Sequence, residues 1–106
     1  MDFKEIAKDV LRLEAKELLD AVDTIDEEMS RAVELIANIK GKLIITGVGK
    51  SGLIGAKIAA TMASTGTSSF FIHPTEALHG DLGMIGKDDA VLAISFSGES
   101  EELIKI

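Results

Sequence analysis

Two hydrophobic rhythms divide the chain. From residue 3 to residue 40, Ile6, Val10, Leu13, Leu18 and Val22 recur at mostly helical spacing with Lys, Glu and Asp between them, which places an apolar stripe along one side of a helix. The run falters at Asp23 and Thr24, which predicts two helices rather than one. Thr24 followed by Glu27 has the form of a capping box; Met29, Val33, Ile36 and Ala37 then renew the stripe, and Gly41 is a natural stop. Nothing in this half carries evident chemistry. A stripe of this kind usually packs against a neighbouring element or a second copy.

From Lys42 onward short apolar runs are separated by glycine-rich turns and small-residue segments. They predict strands at 43–46, 69–72 and 90–95, a helix at 51–64 and a short helical turn at 75–78. Strands alternating with helices imply parallel pairing through right-handed crossovers, and the unbroken apolar runs L-I-I and V-L-A-I suit strands covered on both faces. The fold class is therefore α/β, with a helical segment at 1–41 followed by an alternating strand–helix segment at 42–106. Three parallel strands leave an open edge, so the sequence reads as a truncated part of a longer protein or as one completed by a partner.

Composition narrows the function classes. The chain has 106 residues, 46% of them apolar, and a formal net charge of -7, which fits one modest globular domain and disfavours nucleic acid or an anionic membrane as a ligand. The charged start Met1-Asp2-Phe3-Lys4-Glu5 lacks the apolar core of a signal peptide, and no apolar run reaches the roughly 18 residues of a membrane span. Cytoplasmic localisation is the expectation. The absence of cysteine removes disulfides, thiolate metal sites and cysteine nucleophiles, and leaves two histidines as imidazole groups.

Against that background the stretch I-I-T-G-V-G-K-S-G, residues 44–52, stands out. A nucleotide-triphosphate loop needs a glycine where Ile44 stands, inside the first strand. The dinucleotide pattern G-x-G-x-x-G is met by Gly47, Gly49 and Gly52, but Ile72, His73 and Pro74 close the second strand where that fold places an acidic residue. A third reading is a sugar-phosphate loop, with backbone N–H groups at the next helix's N-terminus and the Ser51 hydroxyl facing an anion. The plain alternative is that the glycines only let strand and helix approach closely. A second cluster, Ser95-Phe96-Ser97-Gly98-Glu99-Ser100, follows the third strand; ligands of open α/β sheets lie at the carboxyl ends of strands, so the two loops are expected to meet at one crevice. Serine hydroxyls there donate to a phosphate without adding charge.

The motifs G-V-G-K-S-G, A-S-T-G-T, H-P-T-E-A-L-H-G-D-L-G-M (73–84) and I-S-F-S-G-E-S together resemble the sugar isomerase (SIS) domain and, within it, the D-arabinose 5-phosphate isomerases. The third motif is the most specific of them; Phe96 stands where asparagine is frequent. The resemblance implies that residues 42–106 are the first part of a SIS sugar-phosphate-binding domain, a three-layer sandwich around a parallel sheet in flavodoxin-like strand order. It also implies interconversion of D-ribulose 5-phosphate and D-arabinose 5-phosphate through an enediol, on the route to the Kdo sugar of lipopolysaccharide, with no cofactor. Matched by position, it names Lys50, His79 and Glu102 as catalytic, and Ser51, Gly66, Thr67, His73, His79, Ser95, Ser97, Gly98 and Ser100 as substrate-binding. His73 matches a histidine that holds an inhibitory zinc ion in some members, and the family assembles as tetramers.

Enediol chemistry needs a base beside a donor that stabilises the developing oxyanion. Glu102 is the expected base, and Lys50 or His79 the stabiliser. Each has a bland counterpart. Glu102 follows Glu99 and Glu101 in a helical first turn, where carboxylates are favoured anyway; His79 can donate to Asp81; His73 can serve merely to cap a strand before Pro74; and Asp81 fits turn formation. Two other functions share these features: a non-catalytic sugar-phosphate-binding module, and another isomerase such as hexulose phosphate isomerase.

Overall fold

The computed structural model describes residues 1–75 and 81–95. Two compact units emerge, Met1–Leu35 and Ile36–Ile106. In the first, helix α1 (Phe3–Ala21) begins with Asp2, whose Oδ1 accepts the N–H of Lys4 at 3.0 Å and of Glu5 at 3.3 Å. Exposed ion pairs Glu5–Lys8, Asp9–Arg12 and Lys16–Asp20 run along it. Each contributes about 0.2–0.5 kcal/mol.

A 3-10 turn, Val22–Thr24, separates α1 from helix α2 (Glu27–Asn38). The predicted break is found, but the cap is a different residue. Thr24 Oγ1 donates to the Ala21 carbonyl at 2.7 Å and closes the turn, Ile25 is extended, and Asp26 Oδ1 accepts the Glu28 N–H at 2.9 Å. Asp26 therefore caps α2, because Thr24 is already committed to the preceding turn. No residue of α1 or α2 is buried. Ile36 at the end of α2 and Ile39 after it pack on the sheet's core, so this last turn belongs to the second unit.

The second unit is a parallel sheet. Strands β1 (Leu43–Gly47), β2 (Ser69–Phe71) and β3 (Ala90–Ile94) stand in the order β2-β1-β3, and helix α3 (Lys50–Ser64) connects β1 to β2. This is the expected α/β architecture with the flavodoxin-like order. Pro74 and Thr75 are helical, opening the predicted turn; residues 76–78 of it lie outside the described residues.

Central position buries β1 along its whole length, with Leu43, Ile44 and Ile45 at most 1% exposed. On one face Leu43 and Ile45 meet Ala59 of α3, with Ile58, Met62 and Phe71 around them; on the other Ile44 and Ile72 meet Phe70 and Ile85. Full burial of such a side chain contributes about 1.5–3 kcal/mol. α3 comes close because Gly55 lacks a side chain: a Cβ there would lie 3.1 Å from Ile45 Cγ2 and 3.3 Å from the Phe71 ring. The reading of V-L-A-I as covered on both faces is corrected. Val91 and Ala93 are exposed while Leu92 and Ile94 are half-buried, because β3 pairs only with β1 among the described strands.

The sheet's amino end is clamped by one carboxylate. Asp89 Oδ1 accepts the Lys42 N–H at 2.6 Å and Oδ2 accepts the Gly86 N–H at 2.8 Å, fixing the turn before β3 against the start of β1. These hydrogen bonds hold the Asp89 carboxyl below its ordinary range, with the Lys42 amide the larger cause.

Candidate functional site

At the carboxyl end of β1 the chain turns through Gly47-Val48-Gly49 into α3, and three glycines serve two purposes. A Cβ on Gly52 would lie 2.6 Å from the Gly47 carbonyl oxygen, and one on Gly47 would lie 3.0 Å from the Ile94 carbonyl oxygen of β3. Close packing of strand and helix therefore accounts for both. Gly49 is different: its φ is 61° and, among the described residues, nothing lies within 4 Å of where its Cβ would be. Positive φ is strained for an L-residue, and here it opens the turn toward free space.

Gly49 is also the residue at which α3 starts, and it supplies no side-chain cap. α1 and α2 start with aspartates that accept first-turn N–H groups; a cap of that kind is worth about 1 kcal/mol. Among the described residues no side chain caps α3, and the positive end of a 15-residue helix is a kind of site that favours an anion. Lys50 opens the helix with its side chain exposed and, among the described residues, in no ion pair; Ser51 beside it is half-buried. Gly47 is in register with Ile94, so Ser95 leaves β3 directly beside this turn. β1 and β3 are where the strand order switches, which is where such sheets bind ligands.

The remaining candidates divide. His73 follows β2 at the same end of the sheet, on the other side of β1; Ile72 still donates to the Ile45 carbonyl at 2.9 Å, and the next residue is His73. Gly66 and Thr67 lie at the opposite end. Gly66 has φ 106° and terminates α3, with the Thr67 N–H donating to Met62 O at 2.9 Å, a glycine C-cap. Ser68 then reaches Leu43, the first residue of β1. At about 1.5 Å of rise per residue, the length of α3 separates these two residues from Lys50, so one copy of the chain does not bring them to the crevice. His79, Ser97, Gly98, Ser100 and Glu102 lie outside the described residues.

One polar group passed over in the sequence lies at this end. Thr46 is 1% exposed, and its Oγ1 has no hydrogen-bond partner among the described residues. Its only sequence signal is a lone hydroxyl in an aliphatic strand.

A strand, a glycine turn and a helix start at the switch point of a parallel sheet, with lysine and serines around them, form the arrangement in which α/β domains hold anionic groups. The SIS domain model matches residues 35–106, and the chain belongs to that family. It is similar to the arabinose 5-phosphate isomerase KdsD of Yersinia pestis, 54% identical over all of this chain and 32% of the relative. The corresponding Escherichia coli K12 enzyme is 51% identical over 96% of this chain and 31% of its own length. The chain thus spans about a third of the length of these relatives. Among solved structures, an Escherichia coli CFT073 protein in complex with arabinose 5-phosphate superposes with TM-score 0.88 at 42% identity, covering 99% of this chain and 57% of that one. A Bacteroides fragilis protein described as a candidate phosphosugar isomerase of capsule formation superposes with TM-score 0.92 at 40% identity, covering 98% and 55%.

Proposed function

We propose that this chain carries the phosphate-binding part of an isomerase that interconverts D-ribulose 5-phosphate and D-arabinose 5-phosphate. The observation that carries the reading is the uncapped, glycine-opened start of α3 beside Ser95 at the β1/β3 switch point. The similar Escherichia coli CFT073 protein, solved with arabinose 5-phosphate, supports the choice of sugar.

In this reading the phosphate lies against the first-turn N–H groups of α3 and the hydroxyls of Ser51 and Ser95, with Ser97, Gly98 and Ser100 extending the cradle. Lys50 sits one residue from that cradle, which sets its ammonium near the sugar end of the ligand. Glu102 abstracts the proton next to the carbonyl, and Lys50 or His79 stabilises the enediolate oxygen until the neighbouring carbon is reprotonated. The reaction belongs to the supply of Kdo for lipopolysaccharide, in the cytoplasm. Self-association accompanies it: Val10, Leu13, Leu18 and Val33 are about half exposed or more, and a second copy is the occupant we assign to that stripe, with a tetramer as in the family. Gly66 and Thr67, remote from Lys50 in one copy, take part only if a neighbouring copy presents them.

Conversion of D-arabinose 5-phosphate, followed by NMR in the wild-type chain and in Glu102→Gln, tests the reading. Turnover in the wild type, lost in the variant with binding retained, supports it. Unaltered turnover in the variant removes Glu102 as the base. Binding without turnover in the wild type leaves the phosphate-binding part standing and places the chemistry in the portion of the relatives that this chain does not span.

A further inference from the structure

Zinc is implied at His73 by resemblance, and the local geometry does not fit it. His73 immediately precedes the helical turn opened by Pro74 and Thr75, and the Thr75 N–H donates to His73 Nδ1 at 3.1 Å. The imidazole is thus a helix N-cap: its ring nitrogen takes the place of the usual cap oxygen, with proline at the first helical position, where no N–H is needed. Fully buried Pro74 and buried Ile72 fix the backbone on either side. A backbone N–H can only donate, so the nitrogen facing it has to accept.

We infer that His73 is held as the Nε2–H tautomer by the Thr75 amide, and therefore meets a ligand as a hydrogen-bond donor and not as a metal ligand. A metal at Nδ1 would displace the Thr75 amide. A metal at Nε2 needs a lone pair there, which sends the ring proton to Nδ1, where two N–H groups would then face each other across 3.1 Å. Either mode costs the cap. An Nε2–H is instead matched to a phosphate or hydroxyl oxygen, without adding a positive charge. Thr75 is here a positioning residue acting through its main chain, so the inference concerns the ring's state and not the identity of the side chain at 75. The donor role toward a sugar phosphate rests on the proposed function; the tautomer does not.

Two-bond proton–nitrogen spectra of the imidazoles in the 15N-labelled chain, recorded near pH 8, read the tautomer directly, and the signals lost in His73→Asn identify the residue. The expected result is one species, with Nδ1 at the unprotonated position and Nε2 at the N–H position, unchanged by equimolar zinc chloride. An Nδ1–H species, a tautomer mixture, or transfer of Nε2 to a zinc-bound position would overturn the inference. Adding D-arabinose 5-phosphate should then shift the Nε2 signal, and His73→Gln, which keeps an N–H near the Nε2 position, should bind it about tenfold more tightly than His73→Asn, the worth of roughly one hydrogen bond. An Nε2–H tautomer with no shift at His73 while the Lys50 and Ser51 amides do shift refutes the donor role alone. No shift at any of these groups counts against the proposed function and leaves the tautomer standing.

Discussion

The two units of this chain use their apolar residues in opposite ways. In the sheet, β1 is buried from Leu43 to Thr46 and α3 approaches it through Gly55 and Ala59. In the helical unit the stripe is as regular, yet α1 and α2 contain no buried residue, and local devices hold them: the Asp2 and Asp26 caps and exposed ion pairs. Those devices are worth tenths of a kcal/mol to about 1 kcal/mol apiece. The lesson is that a periodic stripe reports an interface without saying where its partner is. One unit finds it within itself; the other keeps it exposed.

Substitutions that separate the units sharpen this contrast. Ile45→Ala should destabilise the sheet by about 2–5 kcal/mol, whereas Leu13→Ala should change the stability of a monomer by less than about 0.5 kcal/mol and weaken self-association instead. Urea unfolding and sedimentation velocity on both variants check this; equal losses of stability would erase the distinction. Next in size is Gly52→Ala, whose Cβ would meet the Gly47 carbonyl oxygen at 2.6 Å. We expect a loss of about 1–3 kcal/mol, and weaker sugar-phosphate binding as the turn is forced open.

Thr46→Val goes the other way. It removes a buried hydroxyl without a partner among the described residues, so the thermal midpoint should rise, by the equivalent of about 1 kcal/mol. A fall would mean that the hydroxyl serves a bound water or ligand. The smallest effect is confined to acid. The Asp89 carboxyl is held below its ordinary range by the Lys42 and Gly86 amides, so its stabilisation is full above the unfolded pKa and is lost as pH falls through the lower folded value. Asp89→Asn should flatten that limb of the stability–pH curve, and an unchanged limb would show that the clamp carries no linkage.

Much of this architecture was legible in the sequence because periodicity and glycine position speak for themselves. L-I-I marked the central strand, the small-residue run after Lys50 marked α3, and parallel crossovers followed from strand–helix alternation. Cap identity was less legible: Thr24 and Asp26 compete for one role, and only the 3-10 turn that engages Thr24 decides it. Burial of V-L-A-I was misjudged because an apolar run does not reveal whether its strand is central or at an edge. Lys50, Ser51 and Ser95 were identified by motif and are brought to one end of β1 and β3, whereas Gly66 and Thr67 belong to the same motif set but terminate the helix at the far end. Sequence proximity to a motif carries no information about which end of a sheet a residue reaches. The sequence leaves His73 open between a strand cap and a ligand; the Thr75 N–H donating to its Nδ1 makes it instead a cap for the residues that follow it.

The central claim is that the open start of α3 is a phosphate cradle. Amide NMR of the 106-residue chain during titration with D-arabinose 5-phosphate tests it most directly. The predicted result is saturable shifts at Gly49, Lys50, Ser51 and Ser95, reproduced at lower affinity by inorganic phosphate, with the Asp2 and Asp26 helix starts unmoved. A folded sample whose three helix starts respond alike, or not at all, would contradict it.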